Sequence, residues 1–120
     1  MPRKVNLAEA FGRIDEHYRP RIAGEVNDFQ VKLVKVQGEF VWHQHAEEDE
    51  LFVVLRGELT IELRDGAVKL GPGELVVIPK GVEHRPVARE KVHLMLIKPK
   101  AIRHTGDEVS DLTVHEFARI

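Results

Sequence analysis

The sequence contains no cysteine. Disulfide bonds and thiolate metal ligands are therefore excluded, so any metal site in this chain has to use nitrogen and oxygen donors. Long apolar runs are also missing, since none approaches the roughly 20 residues that a helix needs to cross a bilayer. The residues that follow Met1 include no apolar stretch of the kind that forms a secretory signal. We therefore expect a cytoplasmic protein without a membrane-spanning segment.

A large charge of one sign is missing as well. The 18 Lys and Arg residues nearly balance the 20 Asp and Glu residues, which leaves a net charge of −2. This balance predicts no nucleic-acid partner and no binding to membranes. The remaining composition is that of an ordinary globular domain, with 120 residues of which 42% are hydrophobic and 32% are charged. A chain of this length is long enough to form one domain with its own core.

The first regular pattern is helical and lies between Asn6 and His17. Asn6 is a candidate N-cap, and Glu9 stands three residues later, as in a capping box. Pro20 ends the pattern. The apolar positions recur at helical spacing and form one stripe, which consists of Leu7, Ala10, Phe11 and Ile14. We expect a short helix that covers one end of the fold or a partner subunit.

From residue 29 the apolar residues recur with a period of two, which is the period of a strand. The parity changes within residues 29–36, which predicts a bulge or a register shift. Asp65-Gly66 predicts a hairpin turn. Further short strands are predicted at 51–55, 59–64, 68–70, 75–78, 84–87 and 92–97. Many short strands joined by glycine and proline turns favour an all-β antiparallel sandwich or barrel.

The candidate functional residues begin with His43 and His45. In a β-strand, positions two apart point to the same face, so both imidazoles would lie on one side, as two ligands of one ion must. Glu50 opens the apolar run 51–55, and a neighbouring strand can carry its carboxylate back towards the imidazoles. His84 follows a Pro-x-Gly turn and is the fourth candidate. Imidazoles and a carboxylate together suit a divalent transition metal.

These residues occur in two motifs that resemble those of the cupin superfamily. The first motif consists of Gly38, His43, His45, Glu50 and Gly57, and its first spacing is one residue shorter than the usual form. The second motif consists of Gly73, Pro79, Gly81 and His84. Its last position holds Ala88 instead of the usual asparagine, which is not a metal ligand in the family. The resemblance covers residues 29–98 and implies a cupin jelly-roll β-barrel with a metal ion near its centre.

The resemblance also implies a division of the chain and a ligand set. Residues 1–28 would form an N-terminal helix and arm, 29–98 the barrel, and 99–120 a tail that packs on the barrel or on a partner. The metal ligands would be His43, His45, Glu50 and His84. Three neutral imidazoles and one carboxylate suit a divalent ion, and Fe, Mn, Ni, Zn, Co and Cu all fit these donors.

Strand parity with the ligands predicts an apolar lining for the cavity around the ion. The candidate lining residues are Val41, Phe52, Val54, Leu59, Ile61 and Leu63. Such a lining offers few groups for proton transfer. A homodimer is also expected, because the N-terminal helix and an apolar C-terminal end both need a surface to cover. The apolar residues of that end are Val109, Leu112, Val114 and Phe117.

Three functional classes remain open for this protein: an enzyme, either an oxidoreductase or a sugar isomerase; a binding module; and a storage or structural barrel. A metal-dependent enzyme would use the ion as a Lewis acid or to activate dioxygen, as an oxidoreductase of the dioxygenase type does. A sugar-isomerase-like cupin would also need a general base that faces the cavity. A binding module would sense or sequester a small molecule or metal without turnover. A storage or structural barrel would keep the ligands without using them.

Overall fold

The structure is a computed structural model that describes residues 2–99 and 118–120. The described residues form one short helix and seven strands, which confirms the predicted all-β fold with an N-terminal helix. The elements in chain order are α1 (Leu7–Gly12), β1 (Arg21–Val26), β2 (Phe29–Glu39), β3 (Glu50–Arg56), β4 (Leu59–Leu63), β5 (Gly66–Leu70), β6 (Leu75–Ile78) and β7 (His84–Pro99).

The strands form an antiparallel sheet in which β7 has the central place. It pairs with β2 along most of its length, with β4 along its first residues and with β3 along its second half. Beyond these neighbours, β1 pairs with β2, β6 with β3, and β5 with β4. Inward side chains from β2 to β7 pack in one hydrophobic cluster. The sheet therefore wraps round a single interior, as a barrel does.

β7 is one strand of 16 residues, although the sequence predicted two strands at 84–87 and 92–97. The charged residues 89–91 interrupt the apolar alternation without ending the strand. They lie opposite Gln37 of β2, where the register of the two strands is irregular. The prediction failed because a bulge and a break have the same effect on the apolar pattern.

β2 is buried on both faces near its middle, which explains its mixed apolar pattern. Its buried even-numbered positions are Gln30, Lys32, Val34 and Val36. Leu33 has the opposite parity and is buried in a second cluster beneath α1. The change of parity within residues 29–36 therefore reflects the cover that α1 provides. The register irregularity comes later in the strand, between Val36 and Gly38.

Helix α1 begins at the predicted cap and ends earlier than predicted. The N–H of Glu9 donates a hydrogen bond of 3.0 Å to the side-chain oxygen of Asn6. The helix ends at Gly12 and not at His17. Glycine is a poor helix former, and the next two N–H groups donate to carbonyls three residues back, which tightens the last turn. The helix packs on the outer face of the sheet through Ala10 and Phe11, and Ile14, which follows the helix, joins the same cluster.

Two turns flank β4. The turn before it requires glycine, and the turn after it is the predicted hairpin. Gly57 precedes β4 at a φ of +88°, and a Cβ there would lie 2.7 Å from the carbonyl oxygen of Lys91, so only glycine fits without a shift. The hairpin between β4 and β5 is confirmed. Its two-residue loop is Arg64-Asp65, however, and Gly66 is already the first paired residue of β5.

The last three residues lie beside β1. The N–H of Ile22 donates to the carbonyl of Ala118 at 2.8 Å, and the N–H of Ile120 donates to the carbonyl of Ile22 at 2.9 Å. The apolar residues predicted for the C-terminal end, from Val109 to Phe117, lie outside the described residues. The division at residues 28 and 98 stays a prediction. Within residues 2–99 and 118–120, no helix is long and apolar enough to cross a membrane.

Candidate metal centre

The segment between β2 and β3 carries His43 and His45, and it is not the regular strand that the sequence predicted. His43 forms an isolated bridge with His84, in which each N–H donates to the carbonyl of the other residue, at 3.0 and 2.9 Å. The N–H of Gly81 donates to the carbonyl of His45 at 2.8 Å. An irregular loop fixed by these backbone hydrogen bonds therefore directs both imidazoles inward, in place of the alternation of a strand.

The four predicted ligands converge inside the barrel. One candidate ligand atom from each of the four side chains lies within 4.8 Å of the others. His84 is the first residue of β7 and Glu50 is the first residue of β3, so sheet pairing places these two, whereas the loop places the other two. None of the four residues is more than 5% exposed. This buried His-His-Glu-His group is compatible with a divalent metal ion.

Backbone carbonyls set the orientation of two of the imidazoles. Nδ1 of His43 lies 2.9 Å from the carbonyl of Val41, and Nδ1 of His84 lies 2.9 Å from the carbonyl of Val82. Because a carbonyl oxygen only accepts, each Nδ1 donates its proton there. In the neutral ring, Nε2 then carries a lone pair and is available to a metal. The outer hydrogen bond thus prepares each ring for ligation through Nε2.

Glu50 lies between the other groups. Its Oε1 is 3.2 Å from Nε2 of both His45 and His84, and its Oε2 is 2.9 Å from Nζ of Lys98. A neutral His84 that donates from Nδ1 has no proton on Nε2, so two acceptors face each other across this short distance. In the described part of the chain, Nε2 of His45 is buried and has no hydrogen-bond partner of good geometry. A cation between these atoms would satisfy all of them, so the donor set fits a metal ion.

The electrostatics favour the protonation states that metal binding needs. Burial, and after it the neighbouring His84, lower the pKa of His43 to about 3, so this ring is neutral at pH 7. Burial alone would raise the pKa of Glu50. The opposing influence, first of Lys98 and then of the neighbouring His45 and His84, holds that pKa well below its usual value. Glu50 is therefore an ionised carboxylate beside a neutral imidazole, as metal binding would require.

An apolar cavity of about 30 Å³ adjoins the site, which is enough room for a water-sized ligand. Aromatic rings close one side of it. Tyr18 stacks on Phe40 with ring centres 4.7 Å apart, and the edge of Phe40 meets His43 at 5.5 Å. The Tyr18 hydroxyl donates to the carbonyl of Gly38 at 2.7 Å, and the backbone of Tyr18 has a φ of 58°, which is unusual for a side chain of this size.

The six residues predicted to line the cavity occupy different places. Phe52 lines it, together with Val34, Val36, Leu94 and Leu96. Three of the others lie deep in the hydrophobic core and are at most 1% exposed, namely Val54, Leu59 and Ile61. Val41 and Leu63 are half-buried and pack against the same core. The assignment of these six residues to a ligand-binding wall stays a prediction.

Sequence reasoning missed Lys32, Tyr18 and Lys98, all of which lie in or beside the site. Lys98 continues the inward alternation of Val92, Leu94 and Leu96 on β7, so extending that parity by one step would have placed it inside. Lysine is rarely buried, so its type gives no reason to place it inside. Tyr18 lies in the connection between α1 and β1, where no periodic pattern indicates which way a side chain points.

Comparison with known sequences gives the class of protein. Residues 30–98 match the model of the family described as the cupin domain. The matched region is more than half of the chain, so the protein belongs to the cupin family, and the resemblance inferred from the two motifs is confirmed.

Individual relatives agree with this assignment. The chain is 38% identical over 86 residues to the uncharacterized protein YdbB of Bacillus subtilis (strain 168), a match that covers 71% of this chain and 76% of that protein. It is 50% identical to a cupin-2 domain containing protein from Shewanella frigidimarina NCIMB 400, with a TM-score of 0.79 and coverage of 80% of this chain and 94% of that one. Hydroquinone 1,2-dioxygenase PnpCD, solved in complex with Cd²⁺ and 4-hydroxybenzonitrile, shares the fold at 19% identity and a TM-score of 0.68, over 79% of this chain and 71% of that chain.

Proposed function

We propose that this protein binds one divalent transition-metal ion through His43, His45, Glu50 and His84 and uses it on a small molecule. The observation that supports the proposal most strongly is the convergence of four buried ligand atoms within 4.8 Å, with two imidazoles oriented by their outer hydrogen bonds. Fe, Mn, Ni, Zn, Co and Cu all suit three imidazoles and a carboxylate. When bound, the ion would supply Lewis acidity or dioxygen activation.

The chain's own residues would hold and shield the reacting molecule. The loop that carries His43 and His45 fixes the ligands, and the apolar wall with Phe52 excludes water from the ion. Tyr18 and Phe40 form part of the lining of the cavity, so they would contact a molecule bound there. An apolar site of this kind favours a compact substrate that presents oxygen donors to the metal and an apolar part to the wall.

An oxidoreductase of the dioxygenase type is the function that these features favour. The shared fold with a hydroquinone dioxygenase is in keeping with it, and so is a lining that offers little for proton transfer. A sugar-isomerase-like reaction needs a separate base that faces the cavity. Burial, together with Glu39, raises the pKa of Tyr18 to about 12, and its hydroxyl is already bound to Gly38, so Tyr18 is poorly suited to that role.

A non-catalytic module that senses or sequesters a small molecule or metal is the second candidate. Its support is the small size of the cavity, which has room for a water-sized ligand. One experiment separates the two candidates. Elemental analysis of the purified protein is followed by measurement of oxygen uptake with aromatic diols, enediols and thiols.

We expect one metal per chain and oxygen consumption with one of these substrates. Both are lost in His84→Ala and kept in His17→Gln, which changes an exposed histidine. A stoichiometric metal without turnover would favour the sensor. Absence of metal binding in the protein reconstituted with each of the six ions would refute the proposal.

A homodimer and a cytoplasmic location belong to the same proposal. The outer face of β6 exposes Leu75 at 59% and Val77 at 48%, next to the half-buried Leu51 and Val53 of β3. Among the described strands, β6 is at one edge of the sheet, so a second copy placed there would cover an apolar surface. Light scattering should give twice the chain mass for the wild type and a smaller mass for Val77→Lys. A wild-type monomer would contradict this expectation.

A further inference from the structure

Two buried lysines stand beside the candidate ligands, and the proposed function uses neither of them. Lys98 is 1% exposed and Lys32 is 0% exposed. In the register of β2 and β7, Gln30 pairs with Lys98 and Lys32 pairs with Leu96, so the two lysines are diagonal neighbours on one face of the sheet. Lysine is almost never fully buried unless it is paired. Two buried lysines near one carboxylate are therefore an unusual arrangement.

The contact between Lys98 and Glu50 gives the two carboxylate oxygens different partners. Nζ of Lys98 holds Oε2 at 2.9 Å, whereas Oε1 faces Nε2 of His45 and of His84 at 3.2 Å each. Only one oxygen of Glu50 is thus turned towards the position between the imidazoles. Lys98 fixes which oxygen that is, because both side chains of the ion pair are almost completely buried.

The same contact changes the charge of the centre. Among the described residues, the buried charged side chains are Glu50, Lys32 and Lys98. Lys98 balances the charge of Glu50, and imidazoles that bind a metal are neutral. The net charge of a divalent ion, Glu50 and Lys98 together would consequently be +2. Without Lys98, the ion and the carboxylate would have a net charge of +1. Lys32 adds to this excess whenever it is protonated, although burial and the nearby Lys98 lower its pKa to about 7.

The cavity wall supplies no charge to compensate the ion. Apart from Glu50, its described lining consists of the uncharged imidazole of His43 and of apolar or aromatic side chains. An uncompensated charge in such surroundings is costly. A negative ligand at the open side of the ion would remove that cost, and a neutral ligand would not.

We propose that Lys98 makes the metal centre selective for a small anionic ligand, because it neutralises Glu50 and leaves the ion a single carboxylate oxygen. This inference rests on the proposed function, since it needs an ion at the four ligands. It defines the substrate class as a molecule that reaches the ion through an ionised oxygen and carries an apolar remainder. Lys98 is a positioning residue, because it contacts Glu50 and not the open side of the ion.

The test measures anion binding in the cobalt-loaded protein, with azide as the anion and visible absorption as the readout. Lys98→Gln keeps a hydrogen-bond donor but removes the charge, whereas Lys98→Arg keeps the charge. Lys69→Met removes an exposed lysine of β5 as a matched control. We expect Lys98→Gln to weaken azide binding at least about tenfold and to leave cobalt binding as tight as in the wild type or tighter. Lys98→Arg and Lys69→Met should stay within about twofold of the wild type.

A purely structural role for Lys98 would weaken cobalt binding and would not change azide affinity in the loaded protein, which would overturn the inference. If Lys98→Gln binds both cobalt and azide as the wild type does, the inference is wrong and the proposed function stands. If the wild type binds no cobalt, nickel, zinc, iron, manganese or copper, the proposed function fails, and this inference fails with it.

Lys32→Met provides an independent test should Lys98→Gln fail to fold. This substitution removes a nearby positive charge and leaves the contact between Lys98 and Glu50 in place. We expect azide binding to weaken by less than about tenfold, because Lys98 still neutralises Glu50 in this variant. A loss of about tenfold or more would place the anion selectivity in Lys32 and overturn the inference.

Discussion

Two regions of the barrel interior are equally buried but differ in chemistry. The polar centre consists of Lys32, His43, His45, Glu50, His84 and Lys98, each at most 5% exposed. The apolar core consists of Val54, Leu59, Ile61, Ala88 and Val92, each at most 1% exposed. Burial of apolar side chains stabilises the fold by about 25 cal/mol per Å². Burial of charged groups stabilises it little or not at all unless each group is paired.

The comparison teaches that the same sheet serves two separate purposes. Strand β3 begins in the polar centre with Glu50 and continues into the apolar core with Val54. Burial of the apolar core stabilises the fold. Burial of the polar groups carries a desolvation cost, which a bound cation and its ligands would offset. We therefore expect substitutions in the core to change stability alone, and substitutions in the polar centre to change metal binding as well.

The largest expected effect comes from breaking the buried pair of Glu50 and Lys98. Glu50→Leu leaves Lys98 without its partner, which should lower the free energy of unfolding by about 3–5 kcal/mol and abolish metal binding. The double variant Glu50→Leu/Lys98→Met replaces the pair by apolar groups and should regain most of that stability without regaining the metal. Urea unfolding of the metal-free proteins measures the stability of each variant, and elemental analysis measures its metal content. A double variant no more stable than Glu50→Leu would contradict this account of the polar centre.

A substitution in the apolar core should lower the stability and leave the metal affinity unchanged. Ile61→Ala removes most of a side chain that is 0% exposed, and we expect a loss of about 2–4 kcal/mol in the free energy of unfolding. Ile61→Val should cost about 1 kcal/mol. Metal affinity, measured by calorimetric titration under conditions where both variants are folded, should remain that of the wild type. A large loss of affinity in Ile61→Val would show that the two regions are coupled.

Acid should destabilise the metal-free protein through the polar centre. Burial lowers the pKa of His43 from its usual 6.5 to about 3, so below pH 6.5 the unfolded chain takes up a proton that the folded chain does not. Stability is therefore fully present above this pH and is lost as the pH falls towards 3, by about 2 kcal/mol at pH 5. His93 acts in the same direction, because burial and then Lys35 lower its pKa. His43→Gln should flatten the pH dependence of urea unfolding, and His17→Gln should leave it unchanged.

The smallest expected effect lies far from both interior regions. Asn6→Ala removes the side-chain acceptor for the N–H of Glu9 at the start of α1, which should cost about 1 kcal/mol. Asn6→Ser keeps an acceptor and should cost less. Neither substitution should alter metal affinity, because α1 packs on the outer face of the sheet. A shift of metal affinity in Asn6→Ala would mean that the outer cluster supports the polar centre.

The positions of β3, β4 and β6 were predictable from short-range patterns, and the four candidate ligands were predictable from two motifs that resemble those of the cupin superfamily. The spacing of the two motifs placed His43, His45, Glu50 and His84 in one set, and the hairpin near Gly66 followed from turn residues. The reason for the convergence was less accessible. The inward direction of His45 depends on a loop and on a hydrogen bond from Gly81, and neither has a periodic signature.

The missed features have a common physical origin, since each depends on contacts between residues distant in sequence. Lys32 and Lys98 have the inward parity of their strands, but a lysine is assigned to the surface unless its partner is known. Lys98 pairs with Glu50, which lies 48 positions away. The continuous strand β7 likewise depends on its pairing with β2, which the local sequence does not specify.

The most direct test of the central claim is anomalous diffraction from crystals grown with the bound metal, recorded on both sides of that metal's absorption edge. The account predicts one strong peak per chain, placed between Nε2 of His43, Nε2 of His84, the imidazole of His45 and one oxygen of Glu50, with Lys98 on the other oxygen. A peak at the acidic residues 47–49, or at any place away from these four side chains, would contradict it.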